Sequence, residues 1–515
     1  MLAFEQQHHE LQLENRANGQ PDAALDENDY LLEKIRARQA NVAIIGLGYV
    51  GLPLAMAFAE AGFRVTGIDI DQKRVDSLNM GRSHVSDVPA EQIARFVANG
   101  QRAAGKAVVR GQHANGNGHG NGNGHGNGKE SGEGASVSEA AAVADSAQGS
   151  FRATTDYDAL YDVDAVIICV PTPLSRTKDP DMSYIITAAD EIARRLHHGM
   201  LIVLESTTYP GTTEEIVLPR LQRVKVDRAS LAVGEDFFLA FSPERIDPGR
   251  TDWTVHTTPK VIGGITPRCL QMAQTLYECA IRTIVPVSKT TTAEMVKLLE
   301  NTFRAVNIAL INEVAIMCDR LNVDVWEVVE AAKTKPFGYM PFYPGPGLGG
   351  HCIPIDPRYL AWKMKTLNYN ARFIQLAEEV NFSMPEYVIH KIGSALNDSC
   401  KSLKGSQILI LGVTYKADIG DLRESPALDI MHILHEQGAN VAYHDPHAPR
   451  VLIDGWSLAT VELTAEVLQS ADCVVITTAH TSYDWQWVVD NSRLVVDTRN
   501  VTARITPGAG SIVKL

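Results

Sequence analysis

Short apolar runs recur along the chain, separated by stretches with helical spacing. Asn41–Gly46 (NVAIIG) and Phe63–Asp69 (FRVTGID) bracket a helical Leu52–Ala61. Asp164–Val170, Leu201–Glu205 and Phe237–Phe241 repeat the strand signature, and a helix start is read near Thr212, with Glu214 and Glu215 in its first turn. Strands alternating with helices predict parallel pairing through helical crossovers. The pattern changes at Lys289–Leu321, where Met295, Leu298, Leu299, Phe303 and Val306 form the apolar stripe of a long helix. Helices at Val325–Lys333, Pro357–Leu367 and Phe373–Asn397 extend this into a helical middle region suited to dimerisation. Alternation returns with Ser406–Gly412, Ala439–Tyr443, Cys473–Thr477 and Leu494–Asp497, and Ser425-Pro426 reads as an N-cap and first helical position.

The first strand runs into Gly46-Leu47-Gly48-Tyr49-Val50-Gly51, and Asp69 ends the second strand. Strand, GxGxxG, helix, strand, acid is a dinucleotide-binding order. Gly46 makes the turn, Gly48 lets a pyrophosphate approach the helix N-terminus, and Gly51 allows helix–strand packing. Asp69 can accept from both ribose hydroxyls and repels a 2′-phosphate, so NAD is expected over NADP. Arg74 is open to packing on the adenine or to standing as a solvated helix residue. The fold class expected is α/β, with two Rossmann-like domains whose parallel sheets are joined by a helical dimerisation region. The second such domain lacks GxGxxG but carries Lys416 and Arg423 in its first loop, a setting for a different nucleotide or for a purely structural domain.

Between the helices lies Pro344–Pro357, PGPGLGGHCIPIDP. Its glycines at 345, 347, 349 and 350 and its prolines exclude a regular element and describe a preset loop in which backbone amides can approach a phosphate. Cys352 in this loop is a candidate nucleophile, a buried structural thiol being the alternative. Lys297 and Asn301 lie four apart on one helix face, where an amine and an amide can hold an oxyanion. Thr172, Thr207 and Glu244 follow the ends of predicted parallel strands, where open α/β sheets bind ligands.

At 515 residues two or three domains are expected. A net charge of −14 argues against non-specific nucleic-acid binding and an anionic membrane surface. Seven cysteines without a CxxC pair disfavour a zinc site or disulfide framework and suit a reducing, cytoplasmic setting. The N-terminus has no apolar h-region, and no run reaches the length of a membrane span. Residues 1–38 read as a mobile N-terminal extension, with a possible helix at Tyr30–Ala40. Residues 101–150, with NGNGHGNGNGHGNG at their centre, read as a low-complexity disordered insert. His113, His119 and His125 recur every six residues there, a spacing open to weak metal binding, but the composition favours a surface insert.

Jointly these motifs resemble the UDP-glucose/GDP-mannose dehydrogenases: GLGYVG (46–51), VPTP (170–173), ESTTYPGTTEE (205–215), FSPERIDPG (241–249), the Lys297/Asn301 helix, GPGLGGHCIPIDP (345–357), GVTYKADIGDLRESPA (412–427) and DTRN (497–500). The resemblance implies an NAD-binding domain (39–288), a helical central and dimerisation region (289–403) and a UDP-sugar-binding domain (404–515). It implies oxidation of a sugar C6 alcohol to the acid with two NAD, in the supply of surface polysaccharide. Cys352 is the implied nucleophile, Lys297 and Asn301 the oxyanion stabilisers and Asp356 the general base, with Glu244 and Thr207 positioning sugar or water. Tyr49, Val50, Thr172, Thr207 and Arg423 join the glycines, Asp69 and Arg74 at the cofactor. Tyr343, Gly345, Gly349, Lys416 and Arg499 meet the UDP-sugar, with Arg245 marking an N-acetylhexosamine, UDP-N-acetylglucosamine before UDP-N-acetylmannosamine or UDP-glucose. A homodimer or higher homo-oligomer is implied, and no metal. A β-hydroxyacid dehydrogenase, the nearest competing enzyme, needs no thiol, and a non-catalytic nucleotide-sugar sensor needs none of Cys352, Lys297, Asn301 and Asp356.

Overall fold

The structure is a computed structural model of the 515-residue chain. It describes residues 27–113 except 86, 149–175, and 179–515 except 224, 227, 228, 248, 249, 251, 507 and 509, with 102–113 as helix backbone alone. These residues fall in two compact units, one within Met1–Thr172 and Met182–Glu294, the other within Pro173–Asp181 and Met295–Leu515.

The principal elements of the first unit are α1 (Glu27–Arg36), β1 (Asn41–Ile45), α2 (Gly51–Glu60), β2 (Arg64–Ile68), α3 (Gln72–Asn79), α4 (Ala90–His113), β3 (Ser150–Thr154), β4 (Ala165–Ile168), α5 (Ser183–Ala193), β5 (Leu201–Leu204), β6 (Phe238–Phe241), β7 (Lys260–Gly264), α6 (Pro267–Glu278) and β8 (Ile284–Val287). They build one eight-stranded sheet in the order β8-β7-β6-β5-β4-β1-β2-β3, parallel except where β7 runs against β6. Strands β4, β5 and β6 are buried at every position, as a sheet covered by helices on both faces requires. The strand order reverses between β1 and its neighbours β2 and β4, which is where such sheets open a crevice for a ligand.

Two expectations are corrected here. The extension does not run to residue 38: Leu31, Leu32 and Ile35 share one face of α1 and are buried in the core with α6, so the chain is folded from at least Glu27. Residues 101–113 continue helix α4, and Ser150 already belongs to β3. What remains of the predicted insert, 114–148, and of the extension, 1–26, lies outside the described residues, as do His119 and His125. At the root of this excursion Asn99 Nδ2 donates to the Gly149 carbonyl (3.0 Å), and Ser150 N–H to Phe63 (3.1 Å).

The second unit holds α7 (Thr290–Leu321, whose first turn counts with the first unit), α8 (Val325–Lys333), α9 (Asp356–Thr366), α10 (Arg372–Asp398), β9 (Gln407–Leu411), α11 (Pro426–Glu436), β10 (Asn440–His444), β11 (Cys473–Ile476), β12 (Leu494–Asp497) and β13 (Ser511–Lys514). Its sheet runs β10-β9-β11-β12-β13, all parallel. Met384, Val388, Ile392 and Leu396 of α10 pack with α11 and the sheet residues Ile408 and Ile410, so the helical region and the second sheet share a core. Ser425 occupies the N-cap position of α11, but its hydroxyl donates to the Val413 carbonyl (2.7 Å) instead of capping the helix. Among the described residues no helix is long and apolar enough to cross a membrane.

Candidate active site

The GxGxxG turn has the geometry its spacing predicts. Gly46 adopts φ +92°, and a Cβ on Gly51 would lie 1.9 Å from the Gly46 carbonyl oxygen, so both positions demand glycine. A Cβ on Gly48 would meet nothing within 4 Å, so this part of the turn is open to a ligand. Tyr49 is exposed and Val50 half-buried beside it. Asp69 is buried: Oδ2 accepts from Leu47 N–H (2.9 Å) and the Arg74 guanidinium (2.7 Å), and Oδ1 from Asp71 N–H (3.0 Å). Arg74 is thus an ion-pair partner of Asp69, since opposite charges on adjacent turns meet before either finds a ligand.

Further along the same sheet, polar groups gather after the strand ends. Ser206 Oγ donates to the Val170 carbonyl (2.8 Å), tying the segments that carry Thr172 and Thr207, both half-buried. Glu244 is buried and its Oε1 accepts from the amides of Arg245 (2.8 Å) and Ile246 (2.6 Å). Arg245 in turn reaches the Pro259 carbonyl (2.7 Å). Sequence reasoning missed two groups here. Glu205, fully buried, pairs with Lys260 (2.9 Å) and accepts the Tyr277 hydroxyl. Burial works against the Lys260 charge, but the Glu205 and Glu244 carboxylates overcome it and raise its pKa. Glu294, also buried, accepts from Gly211 N–H (2.5 Å), Thr213 N–H (2.9 Å) and the Thr213 hydroxyl (2.7 Å), and so fixes the ESTTYPGTT loop. Glu205 was visible at the end of a strand, whereas Lys260, Tyr277 and Glu294 carry no local motif.

In the second unit Lys297, Asn301 and Asp356 are all buried. Asn301 Nδ2 donates to Asp356 Oδ2 at 2.5 Å. Burial pushes the Asp356 carboxyl up to about 6, with the Lys297 charge and the Asn301 hydrogen bond pulling the other way. Cys352, half-buried and in no disulfide, stands one turn before α9: its carbonyl accepts from Ile355 N–H (3.1 Å) and Asp356 N–H (2.8 Å). A helix N-terminus favours negative charge on neighbouring groups. The loop's glycines do more packing than phosphate cradling. A Cβ on Gly349 would strike Tyr415 Cβ (2.7 Å) and the Glu424 carbonyl (2.9 Å), and one on Gly345 would lie 2.9 Å from Arg499 Nη1. The Gly345 and Gly350 amides are already given to Asn312 Oδ1 (3.0 Å) and the Arg423 carbonyl (3.1 Å).

Arg499 lies against this loop, its Nε on the Thr477 carbonyl (2.8 Å), and burial lowers its pKa to about 10. Lys416 is half-buried, and Arg423 is exposed and paired with Asp421 (2.6 Å). Tyr343 is exposed beside the loop. Its hydroxyl donates to Glu330 on α8 (2.7 Å) and its ring stacks on Trp326, satisfying both its polar and its apolar parts at the surface. Asp418, His447 and His480 lie close enough to suggest a metal. Both ring nitrogens of His480 are already used, one accepting Asp418 N–H (3.0 Å) and the other bonded to Asp445 (3.0 Å), so the group ties loops together.

Residues 40–109 and 137–281 match the NAD binding domain of the UDP-glucose/GDP-mannose dehydrogenase family, 291–383 its central domain and 409–504 its UDP binding domain. The chain belongs to this family. It is an NAD-dependent nucleotide-sugar 6-dehydrogenase, with two parallel-sheet domains and a helical central domain. The UDP-N-acetyl-D-mannosamine dehydrogenase of Methanococcus maripaludis is 31% identical over 92% of this chain and 96% of its own. The NDP-N-acetyl-D-galactosaminuronic acid dehydrogenase of Ralstonia solanacearum is 35% identical over 89% and 96%. The solved UDP-D-ManNAc dehydrogenase of Pyrococcus horikoshii superposes with a TM-score of 0.73 at 29% identity, covering 92% of this chain and 98% of that one. The open space at Gly48 and the buried acid at Asp69 fit the NAD of this dehydrogenase family, and the family's UDP binding domain marks a UDP-sugar substrate.

Proposed function

We propose that this dehydrogenase converts the C6 alcohol of a UDP-N-acetylhexosamine to the uronic acid through a thioester on Cys352. The observation that carries the reading is the 2.5 Å contact between Asn301 and Asp356 beside Lys297, one turn after Cys352. NAD, when bound, would supply a hydride acceptor, one molecule for each of the two oxidations, and in the first of them Asp356 takes the proton of the C6 hydroxyl. The Lys297 ammonium and Asn301 amide stabilise the oxygen at C6 as it gains negative charge. The Cys352 thiolate adds to the aldehyde, forming a thiohemiacetal that keeps the intermediate bound. Loss of the second hydride leaves the thioester. Water attacks its carbonyl carbon, the C–S bond breaks, the thiolate is regenerated and Asp356 takes the water's proton. Asp356, pushed up to about 6, is ionised and a competent base at neutral pH.

Glu244 and Thr207 position sugar or water in this reading, and Lys416 and Arg499 meet the UDP. The N-acetylhexosamine class is supported by SPERIDPG around Arg245 and by the names of the relatives, both 2-acetamido-sugar enzymes. Within that class UDP-N-acetylglucosamine is the first substrate to try. A homodimer is supported by exposed Phe303, Leu310 and Met317, seven residues apart on α7, an exposed apolar stripe of the kind a second copy covers. Glutamate at 310 should then yield monomers by light scattering.

The deciding experiment measures NADH against UDP-N-acetylglucosamine, UDP-N-acetylgalactosamine, UDP-N-acetylmannosamine and UDP-glucose. Two NADH per sugar from an acetamido sugar, and far less from UDP-glucose, is the expected result. Equal or reversed preference for UDP-glucose rejects the substrate class. Cys352→Ala should lose acid formation by orders of magnitude. Two NADH per sugar at a near wild-type rate from that variant rejects the covalent route.

A further inference from the structure

One polar group of the Cys352 loop is left without a partner. His351 Nδ1 is shielded from solvent and has no hydrogen-bond partner among the described residues. An orphaned buried imidazole nitrogen is rare, because its lost hydration goes uncompensated until something binds it. The neighbouring backbone groups are already engaged. Gly350 N–H is fixed on the Arg423 carbonyl (3.1 Å), and the Cys352 carbonyl is fixed by the amides of Ile355 and Asp356 (3.1 and 2.8 Å). A Cβ on Gly349 would strike Tyr415 (2.7 Å) and the Glu424 carbonyl (2.9 Å), so the loop is packed closely here.

The surroundings specify the missing partner. Burial is the main reason the His351 pKa is lowered to about 4, and the Arg423 and Lys297 charges add to it, with Asp421 opposing. The ring is neutral at physiological pH, so it holds one N–H and one lone pair. Asp421 is itself engaged by the Arg423 guanidinium (2.6 Å). A neutral imidazole N–H near the Arg423 and Lys297 cations, with Asp421 as the opposing anion, suits an anionic oxygen acceptor, not another cation.

We propose that His351 donates through Nδ1–H to a phosphate oxygen of a bound nucleotide and is a binding residue of this enzyme. The inference rests on the nucleotide-sugar reading above. Two nucleotides are available, UDP-sugar and NAD, and both present phosphate oxygens.

The test is calorimetric titration of the full-length protein with UDP and with NAD, alongside the KM of each in turnover. An Asn side chain places its amide near the Nδ1 position, whereas Gln places it near Nε2. His351→Ala should weaken one of the two ligands about tenfold or more, the usual loss for a hydrogen bond to a charged group. His351→Asn should restore binding to within about threefold on the same scale, and His351→Gln should behave like Ala. Which ligand moves identifies the phosphate. Should the Ala variant fail to fold, the Asn and Gln pair still discriminates. Unchanged affinities for both ligands, or rescue by Gln and not Asn, overturn the proposal. A fall in kcat with both affinities intact overturns it too, by placing His351 in proton transfer. Wild type that binds neither UDP nor NAD sinks the nucleotide-sugar reading along with it, while wild type that binds both, with variants that match it, sinks His351 alone.

Discussion

After β1 the chain turns through Gly46, at φ +92°, and after β9 through Gly412, at φ +79°. Gly46 N–H donates to the Ile68 carbonyl at the end of β2, and Gly412 N–H to the His444 carbonyl at the end of β10. Each second strand is followed by a buried acid. Asp69 accepts the amides of Leu47 and Asp71, and Asp445 those of Val413, Thr414 and His447. The two turns share one backbone plan and differ in what lies in front of it. A Cβ on Gly46 would sit 2.6 Å from the Cys169 carbonyl oxygen and one on Gly412 2.6 Å from Thr478, but two residues further on a Cβ on Gly48 would meet nothing, whereas that place in the second turn is filled by the buried Thr414. The second acid is also bound to His480, which is fully buried, whereas the first is shared with the partly exposed Arg74. An acid after the second strand is therefore first a device for tying the turn. The open glycine, more than the acid, separates the NAD turn from its closed counterpart.

The largest contrast should come from valine at each glycine. Gly412→Val forces a β-branched residue into a left-handed backbone and against Thr478, and should cost about 3 kcal/mol or more in urea unfolding. Gly48→Val should leave the unfolding midpoint nearly unchanged while raising the NAD dissociation constant at least about tenfold, because its side chain fills the approach that the pyrophosphate needs. Equal effects on stability would break the distinction.

Next in size is the pair of acids. His480 and the loop amides hold the Asp445 carboxyl down to about 2, against 3.8 unperturbed, despite burial. A depressed carboxylate stabilises the fold above its unfolded pKa, and that stability is lost as pH falls from about 4 towards 2. Asp445→Asn should cost about 1–2 kcal/mol at neutral pH, after allowance for solvent screening, and flatten the acid limb of the stability profile. Asp69→Asn should cost less stability but relax discrimination against NADP, read as the ratio of kcat/KM for the two cofactors. NADP used as well as NAD by the wild type would remove Asp69 from any ribose role.

The smallest effect is expected where the chain leaves the first sheet. Replacing residues 114–148 should leave turnover and melting temperature nearly unchanged. Helix α4 continues thirteen residues beyond Gly100, to His113, about 20 Å at 1.5 Å per residue, so the replacement linker needs roughly eight residues to return. Loss of folded protein with such a linker would show that the segment is structural.

What could be read beforehand was whatever is written in residue type and spacing. Strand–helix alternation and the three glycines of 46–51 are local, and so are the four-residue separations of Lys297 from Asn301 and Cys352 from Asp356. The buried contacts Glu205–Lys260–Tyr277 and Glu294–Thr213 join residues dozens of positions apart, and nothing near any of them announces the partner. A helix at Tyr30–Ala40 was legible, but the polar composition around it hid that its three buried apolar residues, few but on one face, dock it in the core.

The hydrogen bond from Asn99 to Gly149 closes a ring of chain. Once its two ends are held together, the entropy of such a ring grows only with the logarithm of its length, roughly 0.6 kcal/mol for each doubling. Length at this place is nearly free, and the family's NAD-domain match breaks off between residues 110 and 136, inside the ring. The junction should therefore serve as a socket: a fluorescent domain or an affinity tag spliced between residues 113 and 149 is expected to leave the melting temperature of the sheet domain nearly unchanged.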